Sequence, residues 1–121
     1  MSVEAQPTTR RKAPAGERRA CAPAAVSVSP AQAQRLALLA KALADPVRVQ
    51  LVDALGAAPE LCPCELLPLF DISQPTLAHH LKVLRDAGVI GCRRQGLFAY
   101  YRLIDGGLDD LAAHLCRRET T

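Results

Sequence analysis

The sequence predicts a mainly α domain of the α+β class, in which four helices precede a two-stranded hairpin and one last helix, an ααααββα order. Three observations carry that expectation. Apolar residues recur at i, i+3 and i+7 in separate stretches, the first ones opened by residues that cap helices. Between residues 89 and 103 the pattern changes to simple alternation around Gln95-Gly96. The length, 121 residues, suits one core rather than two, because single domains usually run to about 100–150 residues.

Ser29-Pro30 opens the first helix: serine caps orphan amides, and proline suits the first turn, where its missing N–H costs nothing. Leu36, Leu39 and Leu43 then share one stripe, to about Ala44. Asp45-Pro46 repeats the signal, and Val47, Leu51 and Leu55 line a second helix that Gly56 should stop. A short third helix is expected from about Cys64 to Phe70, followed by a turn at Asp71-Ile72-Ser73. Ser73 caps a fourth helix from Gln74 to about Ala87, with Leu77, Leu81 and Leu84 inward and Gly88 at its end. Val89–Arg94 and Leu97–Leu103 read as paired strands joined at Gln95-Gly96. Past Gly106-Gly107, the spacing of Leu108, Leu111 and Leu115 predicts a last helix. The expected organisation is a flexible basic arm over residues 1–29 and one domain over residues 30–118.

Half the residues are apolar (50%) and 22% are charged, an ordinary globular balance. With no tryptophan and four other aromatic residues, the core must be built of Leu, Val and Ala. No stretch reaches the roughly 18 uncharged apolar residues of a membrane helix; Lys41 breaks the longest, Leu36 to Ala44. Five cysteines is an odd number, which fits a reduced cytoplasmic protein using thiolates better than a closed set of disulfides. Arg18-Arg19 before a mildly apolar stretch resembles a twin-arginine leader. That stretch is short and broken by Pro23, so no export is expected.

Charge is unevenly spread. Residues 74–104 carry Lys82, Arg85, Arg93, Arg94 and Arg102 against Asp86 alone, while the segments on either side are acidic. A compact basic segment of this kind suits an anionic partner. The third helix, the turn and the fourth helix form a helix-turn-helix. With Leu77 inward, Pro75, His79, Lys82 and Asp86 fall within about 40° of the opposite side. Gln74 and Thr76, just after the Ser73 cap, suit base edges in a major groove. His80 lies nearer the apolar stripe, where a packed histidine and a DNA contact fit equally. Arg93, Arg94 and Gln95 at the hairpin tip suit the adjacent minor groove or backbone, although strand charges are often merely solvated edges. The candidate DNA-binding set is therefore Ser73, Gln74, Thr76, His79, His80, Lys82, Arg93, Arg94 and Gln95.

Four segments together resemble the ArsR/SmtB family of winged-helix, metal-responsive repressors. They are Ala42-Leu43-Ala44-Asp45-Pro46-Val47-Arg48, Glu60-Leu61-Cys62-Pro63-Cys64-Glu65, Ser73 through Leu84, and Tyr100-Tyr101-Arg102-Leu103. The resemblance spans about residues 35–115 in the right order. It implies a winged helix-turn-helix and a homodimer built on the first and last helices. It also implies binding to a short inverted repeat of double-stranded operator DNA, with release when metal binds. Ala78 stands where the family often has serine.

Cys62-Pro63-Cys64 is similar to the family's Cys-Val-Cys site, associated with As(III), Sb(III) or soft divalent ions such as Cd(II) and Pb(II). The chemistry agrees, because soft thiolates select soft ions over magnesium or calcium. In a regular helix, residues i and i+2 point about 200° apart, so the pair can share an ion only if the turn is not helical. Pro63 allows this by placing Cys62 at the cap and Cys64 in the first turn. The ordinary alternative is two partly buried structural cysteines.

Arsenic-sensing members often carry a third cysteine where this chain has Leu67, and Pro68 interrupts the short helix. A third ligand must then come from Cys21, Cys92 or Cys116. Cys21 is favoured, from either protomer, since eight residues from Ser29 span up to about 26 Å; Cys92 shares the inward parity of Ile90. The expected metal set is Cys62, Cys64 and Cys21. The family's zinc or nickel site on the last helix is not expected, because Gly107 and Arg118 stand where its histidines would be.

The leading expectation is an As(III)- or Sb(III)-responsive repressor. A Cd(II)-, Pb(II)- or Zn(II)-responsive relative and a thiol redox switch are the alternatives. An enzyme is not expected: the Cys-x-x-Cys of a thiol oxidoreductase is absent, and no nucleophile–base pair is visible.

Overall fold

In a computed structural model, residue 21 and residues 23–116 are described. Most of the expected arm, the twin-arginine pair and residues 117–118 of the expected domain lie outside them.

Capping residues open the helices where the sequence places them. In α1 (Pro30–Ala42), Ser29 Oγ accepts from the Gln32 amide at 3.1 Å. In α2 (Pro46–Gly56), Asp45 Oδ1 accepts from the Val47 amide at 2.8 Å, and that bond holds the carboxyl below its ordinary pKa. In α4 (Gln74–Asp86), Ser73 Oγ accepts from the Thr76 amide at 3.2 Å. The end of α4 is a Schellman motif. Gly88 (φ +82) donates to Arg85 O and Val89 donates to Leu84 O, both at 3.0 Å.

Strands β1 (Ile90–Gln95) and β2 (Phe98–Leu103) pair antiparallel, with Ile90 opposite Leu103 and Gln95 opposite Phe98. Helix α5 (Asp109–Cys116) follows. The core is Leu51, Leu55, Leu66, Leu77, Leu84, Val89 and Ile90, all nearly solvent-free, with Leu39, Ala42 and Leu81 around them. It draws on every helix from α1 to α4 and on the base of the hairpin. By contrast, α5 buries none of its residues in the single chain and is tied to α1 by an Arg35–Asp110 ion pair at 2.9 Å.

The expected order ααααββα holds, with four local differences. The third helix is α3 (Pro63–Leu66), continued by a 3-10 turn over Leu67–Leu69. Pro68 has no N–H to reach back to Cys64, so the α-helix cannot run on to Phe70. The hairpin turn falls at Gly96-Leu97, one residue later than expected. Gly96 has φ +63 and no non-glycine residue among those described has a positive φ, the pattern of a II′ turn. Gly56 is the last residue of α2 but is not in the left-handed region. The last helix starts at Asp109, after a glycine corner that packs on the backbone of Gly88 and Val89.

That corner is tight at Gly107. A Cβ there would lie 2.8 Å from the Gly88 carbonyl oxygen and 3.1 Å from that of Ile104, and both are backbone atoms. Gly107→Ala is expected to cost about 1–3 kcal/mol of stability, as overpacking does. Thermal unfolding checks this, since each kcal/mol lowers the midpoint by about 4–8 °C in a domain of this size.

Candidate nucleic-acid interface and cysteine pair

Leu77, Leu81 and Leu84 bury the inner stripe of α4, which leaves Gln74, Pro75, Thr76, Ala78, His79 and Lys82 exposed on the other side. Ser73 Oγ donates to Thr76 Oγ1 at 2.9 Å while capping the helix, so the two hydroxyls form one unit at its N-terminus. Lys82 is paired with Asp86 one turn on at 2.8 Å, which lowers the Asp86 pKa and leaves both side chains in solvent. A DNA phosphate could replace Asp86 there at little cost, since exposed pairs are weak.

His80 is not part of this face. It is 8% exposed, and its Nδ1 lies 3.1 Å from Arg48 Nη1. A guanidinium only donates, so Nδ1 is the acceptor in this contact. Arg48 Nε donates to the Ala42 carbonyl at 2.7 Å, an orphan acceptor at the end of α1. Arg48 and His80 therefore lock α1, α2 and α4 together, and His80 is corrected from candidate DNA contact to interior junction. Its position about 60° from Leu77 on the helical wheel was the signal for this. Nothing in the sequence marked Arg48 as its partner.

The hairpin brings Arg93, Arg94 and Gln95 to one end, as expected, but Arg93 is already engaged. Its Nε and Nη2 donate to the two carboxylate oxygens of Glu60 at 3.0 and 2.8 Å, and its Nη1 donates to Gln95 at 2.7 Å. The guanidinium also lies 5.0 Å from the Tyr100 ring centre. The pairing with Arg93 holds the Glu60 carboxyl below its usual range. Arg94 is exposed and has no ion-pair partner among the described residues.

Cys62 and Cys64 are joined as a disulfide across Pro63, with Cα atoms 5.3 Å apart. Cys62 is the extended N-cap of α3, at φ −93 and ψ 162, so its side chain does not follow the helical wheel and meets that of Cys64. Glu65 Oε1 accepts from the Cys62 amide at 2.9 Å and fixes the turn. Cys62 is buried and Cys64 is exposed, so the sulphur pair is reached from solvent on the Cys64 side.

The three remaining cysteines stand apart from the pair. Cys92 is opposite Tyr101 in the hairpin, and burial, then the Cys92 thiol beside it, raises the Tyr101 phenol pKa. Tyr101 in turn pairs with Leu61, so Cys92, Tyr101 and Leu61 share one face of the sheet while Cys62, one residue on, points to the other. That parity turns Cys92 to the face opposite Cys62. Cys21 and Cys116 are exposed, and among the described residues no set of three or more His, Cys, Asp or Glu gathers to hold a metal ion.

Residues 45–91 match the family described as bacterial regulatory protein, arsR family. Over 82 residues the chain is 39% identical to the arsenical resistance operon repressor of Staphylococcus aureus, covering 68% of this chain and 78% of that protein. The chain belongs to the ArsR family. A second relative of this ArsR-family protein is the cadmium resistance transcriptional regulatory protein CadC homolog of Staphylococcus aureus. The two are 36% identical over 81 residues, 65% of this chain and 67% of that one. A solved structure described as a possible transcriptional regulator for arsenical resistance aligns with a TM-score of 0.60 at 33% identity. It covers 69% of this chain and 85% of its own. The ArsR-family chain is accordingly a DNA-binding transcriptional regulator with a winged helix-turn-helix, not an enzyme. No helix among its described residues is long and apolar enough to cross a membrane.

Proposed function

We propose that this ArsR-family regulator is a homodimeric repressor that leaves its operator when the thiolates of Cys62 and Cys64 capture As(III) or Sb(III). The observation that carries the reading is the convergence of the two sulphurs at a solvent-reachable turn that opens the first helix of the helix-turn-helix. Each thiol that bonds to arsenous acid gives up its proton to a departing hydroxide, which leaves as water. The disulfide must therefore be reduced before capture, because only a thiolate is a ligand. A third sulphur comes from Cys21, of the same chain or of its partner. The DNA-binding residues are Ser73, Gln74, Thr76, His79, Lys82, Arg93, Arg94 and Gln95, reading an inverted repeat in a two-fold arrangement.

The partner chain in this reading lies against α1 and α5. A groove of about 330 Å³ runs there, lined by Ala33, Leu36, Ala37, Ala40, Leu111 and His114, and Leu115 beyond it is 69% exposed. An amphipathic helix with no buried residue in its own chain is what a dimer interface leaves behind when the partner is removed.

Two other readings have specific support. A cadmium-resistance relative and the softness of thiolates favour Cd(II) or Pb(II), with Zn(II) as a harder rival. The existing Cys62–Cys64 bond favours a redox switch, in which oxidation itself moves α3. One experiment separates them. Reduced protein on a fluorescent duplex, selected by the protein from a random pool, is titrated with arsenite, cadmium chloride and hydrogen peroxide. Release by about one equivalent of arsenite per chain, with none by cadmium, is the expected result. Release by peroxide alone at the same ratio overturns the metalloid reading in favour of the switch. Pre-oxidised protein should ignore arsenite until a reductant is added.

A further inference from the structure

Glu60 stands immediately before the cysteine turn, yet its carboxylate is bonded to the wing. Leu61 and Tyr101 exchange two backbone hydrogen bonds, Leu61 N–H to Tyr101 O at 2.9 Å and Tyr101 N–H to Leu61 O at 2.8 Å. This bridge makes the segment leading into Cys62 a one-residue third strand on the free edge of β2. Side chains alternate across such an edge, so Glu60 and Cys62, on either side of Leu61, share the opposite face. On that same face lie Tyr100 and Arg102 of β2 and Arg93 of β1, which is opposite Tyr100. The outcome is the forked Glu60–Arg93 pair, with Arg102 adding to the field on Glu60.

We propose that Glu60 is a positioning residue that withholds Arg93 from DNA and carries the state of the cysteine turn to the wing. Arg93 cannot direct the same N–H groups at Glu60 and at a phosphate, since its Nε, Nη1 and Nη2 all donate within the protein. A phosphate taken by the same Nε–Nη2 fork must therefore displace Glu60, so binding DNA through that fork and the Glu60 pair are competing states of one guanidinium. Glu60 is separated from Cys62 by a single residue whose backbone is pinned on both sides, so whatever holds the two sulphurs together holds Glu60 on the wing. In the structure the sulphurs are joined and Glu60 is on Arg93. By thermodynamic reciprocity, a ligand that steadies the turn then weakens DNA binding, and DNA weakens capture by the same factor. The second half of this inference rests on the metalloid reading above; the first half does not.

Glu60→Gln, which keeps shape and removes charge, tests it on the duplex selected from a random pool. Without arsenite the variant should bind about two- to fivefold more tightly, the range an exposed ion pair is worth. The slope of log affinity against log salt should steepen by about one, because Arg93 then neutralises one further phosphate. In an Arg93→Ala background, Glu60→Gln should change neither quantity. With arsenite, the fold-weakening of the variant should fall below that of the wild type, while arsenite uptake, read by loss of reactive thiols, stays the same. Unchanged affinity and salt slope, or an equal effect in the Arg93→Ala background, overturns the inference. Should the wild type hold its duplex in arsenite, the metalloid reading fails, and the arsenite-free comparison still decides whether Glu60 withholds Arg93.

Discussion

The Cys62→Ser, Cys64→Ser double variant is expected to stay on its operator duplex at arsenite concentrations that release the wild-type protein. Coupling between two sites in one domain is typically about 1–3 kcal/mol, so arsenite should weaken wild-type binding by about 5- to 150-fold and the variant not at all. Neither cysteine belongs to α4 or to the wing, and the exposed residues proposed to meet DNA keep their partners without them. Operator affinity in the absence of arsenite should therefore change by less than about threefold. Cys64→Ser is the cleaner single variant, because Cys64 is exposed, whereas Cys62 is only 6% exposed and a serine there buries a hydroxyl. Fluorescence anisotropy with and without arsenite measures both numbers. A double variant that is released as readily as the wild type removes the proposed function.

Leu66→Ala should produce the largest loss of stability with a direct consequence for the same site. Helix α3 is four residues long, far too short to stand alone in water. Leu66 is 0% exposed and belongs to the cluster with Leu51, Leu55, Leu77 and Leu84, so it anchors the turn that positions both sulphurs. Truncation leaves a cavity and should cost about 2–5 kcal/mol, a large part of the roughly 5–15 kcal/mol that holds most domains together. Urea unfolding of the reduced protein reads the loss as a lower midpoint at unchanged slope. A loss below about 1 kcal/mol would mean that α3 is not held through Leu66.

Much of the fold was legible because its signals are local. Ser29, Asp45 and Ser73 accept from amides two or three residues on, and Gly88 closes α4 through residues within five positions. Each of those bonds depends on neighbours in the chain and on nothing else. The exposed side of α4 was legible for the same reason, since the Leu77, Leu81 and Leu84 stripe defines its opposite. His80 was ambiguous because it sits at the border of that stripe. Its partner Arg48 is 32 positions away in the sequence.

The cysteine pair shows where local reading stops. Spacing i, i+2 puts two side chains on opposite sides of a helix. It was the extended backbone of Cys62, held by Glu65, that brought the sulphurs together. The third ligand, proposed as Cys21 of the same chain or of its partner, has no such local signal, because no pattern of neighbouring residues specifies a contact so far along the chain or between two chains.

The sequence by itself determined the helices, the hairpin, the apolar stripes and the soft-ligand chemistry of residues 62 and 64, because caps, periodicity and thiolates act over a few residues. Tertiary structure alone decided that Arg93 is held by Glu60, that Cys92 faces away from the pair, and that His80 belongs to the interior. Those outcomes follow from strand register and helix packing, which bring together residues about 30 or more positions apart in ways the intervening chain does not encode locally.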